Sequence, residues 1–280
     1  MWLINLADIK NVAIAGNLEK INDHKVTDYI IESFIRNGFQ VNTVLPIKYK
    51  ALTALSIGDV NPSNTDLLCI LGGDGTIIGT VRSLSKQLPI LGINVGSKGV
   101  LTEIFPDEID LAIDAIREDR FYVQDRMMMK LNTKGMFRKS TVLNEVFLYR
   151  SSLTKLPLFS IIQKDLFIQK RMDGLIVSTP TGSTGHSFSL DGPVIDETLD
   201  VFLLNPVGSI QRLPPMIVQP IPIKISCSNK ATLIIDGQIK LILRKDEVIE
   251  IEKNEEKAKL LKVFTGRLSQ IEKLGFNIIG

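Results

Sequence analysis

Apolar positions follow two rhythms along this chain, and the change comes about a third of the way along. "NVAIAGN", Asn11 to Asn17, is a short apolar run closed by Gly16 and reads as a buried strand. From about Asp23 to Asn37, Val26, Ile30 and Phe34 recur every four residues, which predicts an amphipathic helix stopped at Asn37-Gly38. "FQVNTVL" is the next predicted strand. The segment from Pro46 to Thr65 holds helix-compatible pieces and the turn signal "NPSN". "DLLCIL" does not alternate, so it predicts a strand buried on both faces. "TIIGTVRSL" predicts a helix and "PILGIN" another buried strand. "FPDEIDLAIDAIRED" predicts a further helix, with Pro106 and acidic residues in its first turn. This βαβαβ-like order implies a parallel sheet with crossover helices.

From Phe121 to roughly Lys253 the pattern is mostly that of short strands, as in "STVLNEVFLY", "DGLIVSTP", "IPIKISCS" and "ATLIIDGQIKLIL". No strong helix signal follows until "GRLSQIEKLGF". The expected domains are therefore α/β over residues 1–104 and β-rich over 105–255. A C-terminal segment, 256–280, is expected to return a helix to the first domain.

Composition narrows the function classes. With 280 residues, 44% hydrophobic and 23% charged, the chain fits a globular protein with a sizeable core. Lysine and arginine total 33 against 31 acidic residues, a net charge of +2, so nucleic acid is not an expected partner. The longest apolar runs are strand-sized, so no membrane association is expected. The start, "MWLINLADIK", meets Asp8 and Lys10 too early for a signal peptide. Cys69 and Cys227 each sit in an apolar run, which favours core packing over a disulfide or metal site. With two histidines, a zinc cluster is not expected. The cytoplasm is the expected compartment.

Four segments carry candidate chemistry. In "LLCILGGDGTIIGT", Gly72, Gly73, Asp74, Gly75 and Thr76 follow a buried strand and open a helix. Glycines there let a backbone approach a phosphate, and Thr76 begins a helix whose amides favour anions. A carboxylate at that point suits proton acceptance from an attacking hydroxyl, or a magnesium ion. The alternative is a tight turn whose aspartate caps the helix. Neither a Walker A loop nor a GxGxxG fingerprint is present. "GINVGSKG" follows the next strand, where Asn94 and Lys98 could meet a ligand or simply form a turn.

The third segment, "RMDGLIVSTPTGSTGHSFSLDGP", crowds small hydroxyl residues and glycines between Ser178 and Ser189, too polar for a core. It offers hydroxyls and amides to a flat or phosphorylated ligand, with Asp173 as an acceptor and His186 able to stack on a base. A flexible surface loop is the alternative. Ser183, His186 and Asp191 lack the spacing of a serine triad, and no GxSxG elbow exists. Fourth, "LNEV" sets Asn144 and Glu145 side by side in an apolar strand. Adjacent strand residues face opposite sides, so one must meet a core, a partner or a bulge. A buried carboxylate is costly unless satisfied.

Together these segments resemble the NAD kinase family, within the superfamily of diacylglycerol and sphingoid lipid kinases and 6-phosphofructokinases. "GGDGT" is shared across that superfamily, whereas "LNEV" followed by "DGLIVSTPTGST" points to NAD kinases. The resemblance spans Asp66 to Gln238. It implies a Rossmann-like domain plus a β-sandwich-like domain with the site between them, in a homodimer or homotetramer. The implied reaction moves a phosphoryl group from ATP or inorganic polyphosphate, with Mg²⁺ or another divalent cation, to the adenosine 2′-hydroxyl of NAD. By that resemblance Asp74 is the proton acceptor, beside Gly75, while Gly72, Gly73, Gly75 and Thr76 form the phosphate-donor loop. Asn144, Glu145 and Asp173 hold NAD, and Thr181, Thr184, Gly185, His186, Ser187, Phe188 and Ser189 line its two ends. Arg171, Val207 and Gln238 fall where relatives place further contacts.

Two departures from the family pattern stand out. The usual "GSTAYS" is "GSTGHS" here, so His186 replaces a tyrosine that commonly stacks on adenine. A segment resembling "PHTLSARP" is replaced by "NPVGSIQRLPP", with Ser209 at the histidine. The rival readings are a lipid kinase using the same GGDGT chemistry and a non-catalytic NAD-binding sensor.

Overall fold

The computed structural model describes residues 9–17, 24–96, 99–133, 139–152, 154–263 and 270–273. It divides into two compact units. The first runs to Asp125 and resumes at Ala258, and the second spans Arg126–Lys257.

The first unit is built on a seven-stranded sheet. Its strands are β1 (Asn11–Gly16), β2 (Gln40–Val44), β3 (Ala54–Leu55), β4 (Leu67–Gly72), β5 (Pro89–Asn94), β6 (Tyr122–Arg126) and β19 (Ala258–Lys262), in the order β3-β2-β1-β4-β5-β19-β6. The pairs from β3 to β19 are parallel. β4 and β5 are buried at every position, as expected of strands covered on both faces. Helices α1 (His24–Arg36), α2 (Asp74–Ser83) and α3 (Ile109–Arg117) follow β1, β4 and β5. Ile30, Ile31 and Phe34 of α1 and Ile109, Ala112, Ile113 and Ile116 of α3 join one core with β1, β4 and β5.

Three differences from the sequence expectation have local causes. Residues 46–65 form no α-helix: they give β3 and a single 3-10 turn, Ile57–Asp59. Asn61 and Asn64 bind nearby backbone groups with their side chains, which competes with helical pairing. The division falls after Asp125 rather than at 104, because the apolar face of α3 belongs to the first core. The chain also re-enters the first sheet as a strand, β19. Of "GRLSQIEKLGF" only α4, Gln270–Lys273, is described, with Gln270 buried; the remainder lies outside the described residues.

The second unit is a sandwich of two antiparallel sheets. One contains β7 (Met129–Asn132), β8 (Lys139–Val142), β10 (Leu158–Gln163), β11 (Leu166–Arg171), β15 (Ile223–Cys227) and β18 (Ile249–Lys253), in the order β11-β10-β15-β18-β7-β8. The other contains β9 (Glu145–Arg150), β12 (Gly174–Ser178), β13 (Phe202–Val207), β14 (Met216–Val218), β16 (Ala231–Ile235) and β17 (Ile239–Leu243), in the order β14-β13-β12-β9-β16-β17. Alternate residues of both sheets, such as Val146 and Leu148 with Phe159 and Ile161, fill a shared core.

"STVLNEVFLY" is therefore not one strand. It breaks at Leu143-Asn144, where the chain leaves β8 in one sheet and enters β9 in the other. "ATLIIDGQIKLIL" is a hairpin, β16 to β17, turning through Asp236 (φ +49) and Gly237 (φ +66). An Asp-Gly pair suits consecutive left-handed residues. Both cysteines are free and buried. No helix among the described residues is long and apolar enough to cross a membrane.

Candidate active site

In the first unit the chemistry gathers at the carboxyl end of β4. α2 begins at Asp74 directly after Gly73, so the aspartate is a first-turn residue and makes no side-chain cap to its own helix. Its carboxylate reaches across to the loop after β5 instead. Oδ2 accepts the amide of Val100 at 2.8 Å, and Oδ1 accepts that of Leu101 at 2.9 Å. The side chain remains half-exposed. An ionised carboxylate has about four acceptor positions, so each oxygen keeps one for another donor. Gly99 makes this approach possible: a Cβ there would lie 2.9 Å from Asp74 Oδ1 and 2.3 Å from Thr102 Oγ1. Gly72 is buried, Gly73 and Gly75 are half-buried, and the buried Thr76 hydroxyl has no hydrogen-bond partner among the described residues. Asn94 is buried and its side chain accepts the amide of Gly96 at 2.9 Å. Lys98 lies outside the described residues.

In the second unit the corner at Leu143-Asn144-Glu145 meets the turn that follows β12. Thr179 donates its hydroxyl to Leu143 O at 2.6 Å and its amide to Asn144 O at 2.9 Å. Thr181–Thr184 forms a 3-10 turn so close to this corner that a Cβ on Gly182 would fall 2.2 Å from Asn144 O. Asn144 Oδ1 and Glu145 Oε2 are buried and have no hydrogen-bond partner among the described residues, and both residues approach Gly185. Burial, reinforced by the charge of Asp236, pushes the Glu145 carboxyl up to about 8. Around neutral pH it is thus mainly a neutral acid, able to donate as well as accept a hydrogen bond.

The serine- and glycine-rich segment is less open than its composition suggests. Ser178, Thr179, Ser183 and Ser187 are fully buried. Polar groups can enter a core when each finds a partner, and these do. Ser183 Oγ donates to Pro180 O at 2.7 Å and accepts the amide of Ile195 at 2.9 Å. Asn205 Nδ2 reaches both the Ser187 hydroxyl and its carbonyl at 3.2 Å. Ser183 is therefore committed away from the exposed His186, in agreement with the absence of a triad. Thr181 is buried and Thr184 half-buried, whereas Phe188 and Ser189 are exposed. The His186 ring packs on Phe147, centroids 5.2 Å apart and planes tilted 51°, and Phe147 stacks on Tyr149 at 5.3 Å.

The remaining expected contacts do not gather at one point: Asp173 lies beside the Arg150 end of β9 and Gln238 beside its Glu145 end. Asp173 pairs with Arg150 at 2.5 Å, and its amide donates to Val207 O at 2.9 Å. Arg171 is exposed, donates to Leu156 O at 2.8 Å and lines a small pocket with Lys170, Ile210 and Gln211. Gln238 is exposed in the hairpin turn after Asp236.

Two contributors escaped sequence reading. Asp236 stood unremarked inside the strand-like run "ATLIIDGQIKLIL", yet its carboxylate accepts the amides of Leu143, Asn144 and Glu145. Phe147 looked like one more apolar strand residue. Its only signal was its place two residues after Glu145, which puts it on the same strand face as that glutamate. Among the described residues no three histidine, cysteine, aspartate or glutamate side chains converge as a metal site.

Comparison with known proteins matches residues 10–121 to the ATP-NAD kinase N-terminal domain and residues 143–263 to the ATP-NAD kinase C-terminal domain. The chain is 30% identical over 263 residues to an NAD kinase of Clostridium beijerinckii, covering 90% of each. It is 34% identical over 248 residues to an NAD kinase of Thermococcus kodakarensis, covering 84% of this chain and 87% of the relative. Among solved structures, an NAD kinase from Archaeoglobus fulgidus in complex with ATP superposes with a TM-score of 0.73 at 26% identity, over 95% of this chain and 97% of the other. Yeast NADH kinase complexed with NADH shares the fold, with a TM-score of 0.81 at 21% identity, over 97% and 89%.

Proposed function

The chain belongs to the NAD kinase family, and on that premise we propose that it transfers the terminal phosphoryl group of ATP or polyphosphate to the adenosine 2′-hydroxyl of NAD, with Asp74 accepting the proton. The observation that carries this reading is the tethering of both Asp74 oxygens by the amides of Val100 and Leu101. That arrangement sets the direction of the carboxylate while leaving an acceptor position on each oxygen.

A ribose hydroxyl is a poor nucleophile, and phosphoryl transfer depends chiefly on alignment and charge neutralisation. In this scheme Asp74 orients and deprotonates the hydroxyl, and Gly72, Gly73, Gly75 and Thr76 at the start of α2 face the donor's phosphates. Asn144 and Glu145 receive NAD through the two buried oxygens that lack partners among the described residues. Asp173, Arg171, Val207 and Gln238, with the 181–189 segment, complete its contacts. Among the described residues no three ligating side chains converge, which suits Mg²⁺ carried on the donor's phosphates with Asp74 as a carboxylate able to approach it. When bound, that ion supplies neutralisation of phosphate charge. The free buried cysteines fit a cytoplasmic protein, and a homodimer or homotetramer is the assembly proposed by family likeness.

Asp74→Asn tests the reading. Turnover is expected to fall by about 10²–10⁴-fold while calorimetric NAD affinity survives. Near wild-type turnover would remove Asp74 as the base. Assays across ATP, other nucleotides and polyphosphate identify the donor, and diacylglycerol as acceptor tests the lipid-kinase alternative. NAD binding without NADP formation from any donor would favour the sensor.

A further inference from the structure

The loop after β5 is fastened at its return end by a buried ion pair. Glu103 is 3% exposed, and its backbone amide donates to Gly92 O in β5 at 2.8 Å. Asn94 returns a bond to Ile104 O, also at 2.8 Å. The Glu103 carboxylate turns toward the neighbouring strand. Oε2 accepts Lys262 Nζ at 2.8 Å, and Oε1 accepts the amide of Val263 at 3.3 Å. Lys262, 8% exposed, is the last residue of β19. Two and three residues before Glu103 stand Leu101 and Val100, whose amides hold Asp74.

A buried ion pair is weak evidence of stabilisation, since apolar residues of like size often serve as well. It is directional, however, because a lysine and a backbone amide must meet one carboxylate together. The direction of a peptide N–H is set by the backbone on either side of it, so an anchor two residues away restricts where those amides point.

We propose that the Glu103–Lys262 pair is a positioning element for Asp74, aligning its carboxylate through the amides of Val100 and Leu101. This rests on the reading of Asp74 as proton acceptor. It gives β19 a part in the chemistry although neither Glu103 nor Lys262 touches substrate in this scheme.

The test uses Glu103→Gln and Lys262→Met in the full chain. In ¹⁵N-labelled protein, hydrogen exchange at the Val100 and Leu101 amides should quicken by about tenfold or more relative to β4, because the two amides are no longer held in register with their acceptor. Turnover should fall by about tenfold, with KM for NAD within about twofold, since misplacement affects the reacting geometry more than binding. Added to Asp74→Asn, Glu103→Gln should lower turnover no further, and Lys262→Arg should restore much of what Lys262→Met loses. Unchanged exchange at the two amides, or an undiminished turnover loss in the Asp74→Asn background, would overturn the proposal. Should Glu103→Gln fail to fold, Glu103→Asp keeps the charge and shortens the reach, and unchanged exchange there is equally decisive. If Asp74→Asn alone keeps full turnover, the base assignment fails separately, while the exchange measurement still decides the positioning claim.

Discussion

Asp236 Oδ1 accepts the backbone amide of Asn144 at 2.8 Å, joining residues 92 positions apart in the chain. The same carboxylate accepts Glu145 N at 3.2 Å and Leu143 N at 3.3 Å. Three amides at the point where the chain changes sheets thus find their acceptor in a hairpin turn. Asp236→Ala removes it, and hydrogen bonds to a charged acceptor contribute about 1.5–3 kcal/mol. A loss of about 2 kcal/mol in urea unfolding is expected; no measurable change would mean that water replaces the carboxylate.

Glu145 makes stability depend on pH. Its folded carboxyl titrates near 8, raised by burial and by the charge of Asp236, against an unfolded value near 4.5. Below pH 4.5 both states are protonated and its contribution is fully present. As pH rises toward 8 the unfolded chain releases its proton first, so stability falls, by at most about 1.4 kcal/mol per pH unit from this group. Glu145→Gln removes that slope. The variant should gain on the wild type steadily between pH 4.5 and 8 in denaturant titrations, and parallel curves would refute the shift.

Gly182 has no room for a methyl group. A Cβ would sit 2.2 Å from the Asn144 carbonyl oxygen, a backbone atom that cannot step aside as a side chain can. Gly182→Ala should destabilise by about 1–3 kcal/mol and weaken NAD binding by parting the two segments. Differential scanning calorimetry and binding titration measure both; wild-type values would show that the corner opens freely.

His186 already has one ring neighbour. Phe147, itself stacked on Tyr149, packs against the exposed imidazole at a 51° tilt, so the ring is held near a small aromatic group. His186→Ala should lower NAD affinity by about 1–3 kcal/mol if the ring stacks on adenine. Equal calorimetric affinity would exclude that contact.

Much of the fold was legible because burial leaves a local trace. A strand covered on both faces has to be apolar throughout, so "DLLCIL" and "PILGIN" announced the centre of a parallel sheet. The spacing of Val26, Ile30 and Phe34 likewise announced α1. The short motifs around Asp74, Asn144 and Thr181 were equally visible, since glycines and polar residues beside or within apolar runs stand out in composition alone.

What the sequence could not disclose was who satisfies whom. "STVLNEVFLY" reads as one strand because apolar residues flank Asn144 and Glu145 on both sides, yet the chain changes sheets there, and the acceptor that permits it comes from Asp236. The serines near His186 look solvent-directed, but Asn205 and backbone carbonyls absorb Ser183 and Ser187 into the interior. Residue types and local periods determined the elements and the chemical groups on offer. Only the tertiary structure decided the partners of Asp74, Glu103 and Glu145, because a hydrogen bond or a lost hydration shell depends on atoms brought near by packing, from positions that no local pattern links.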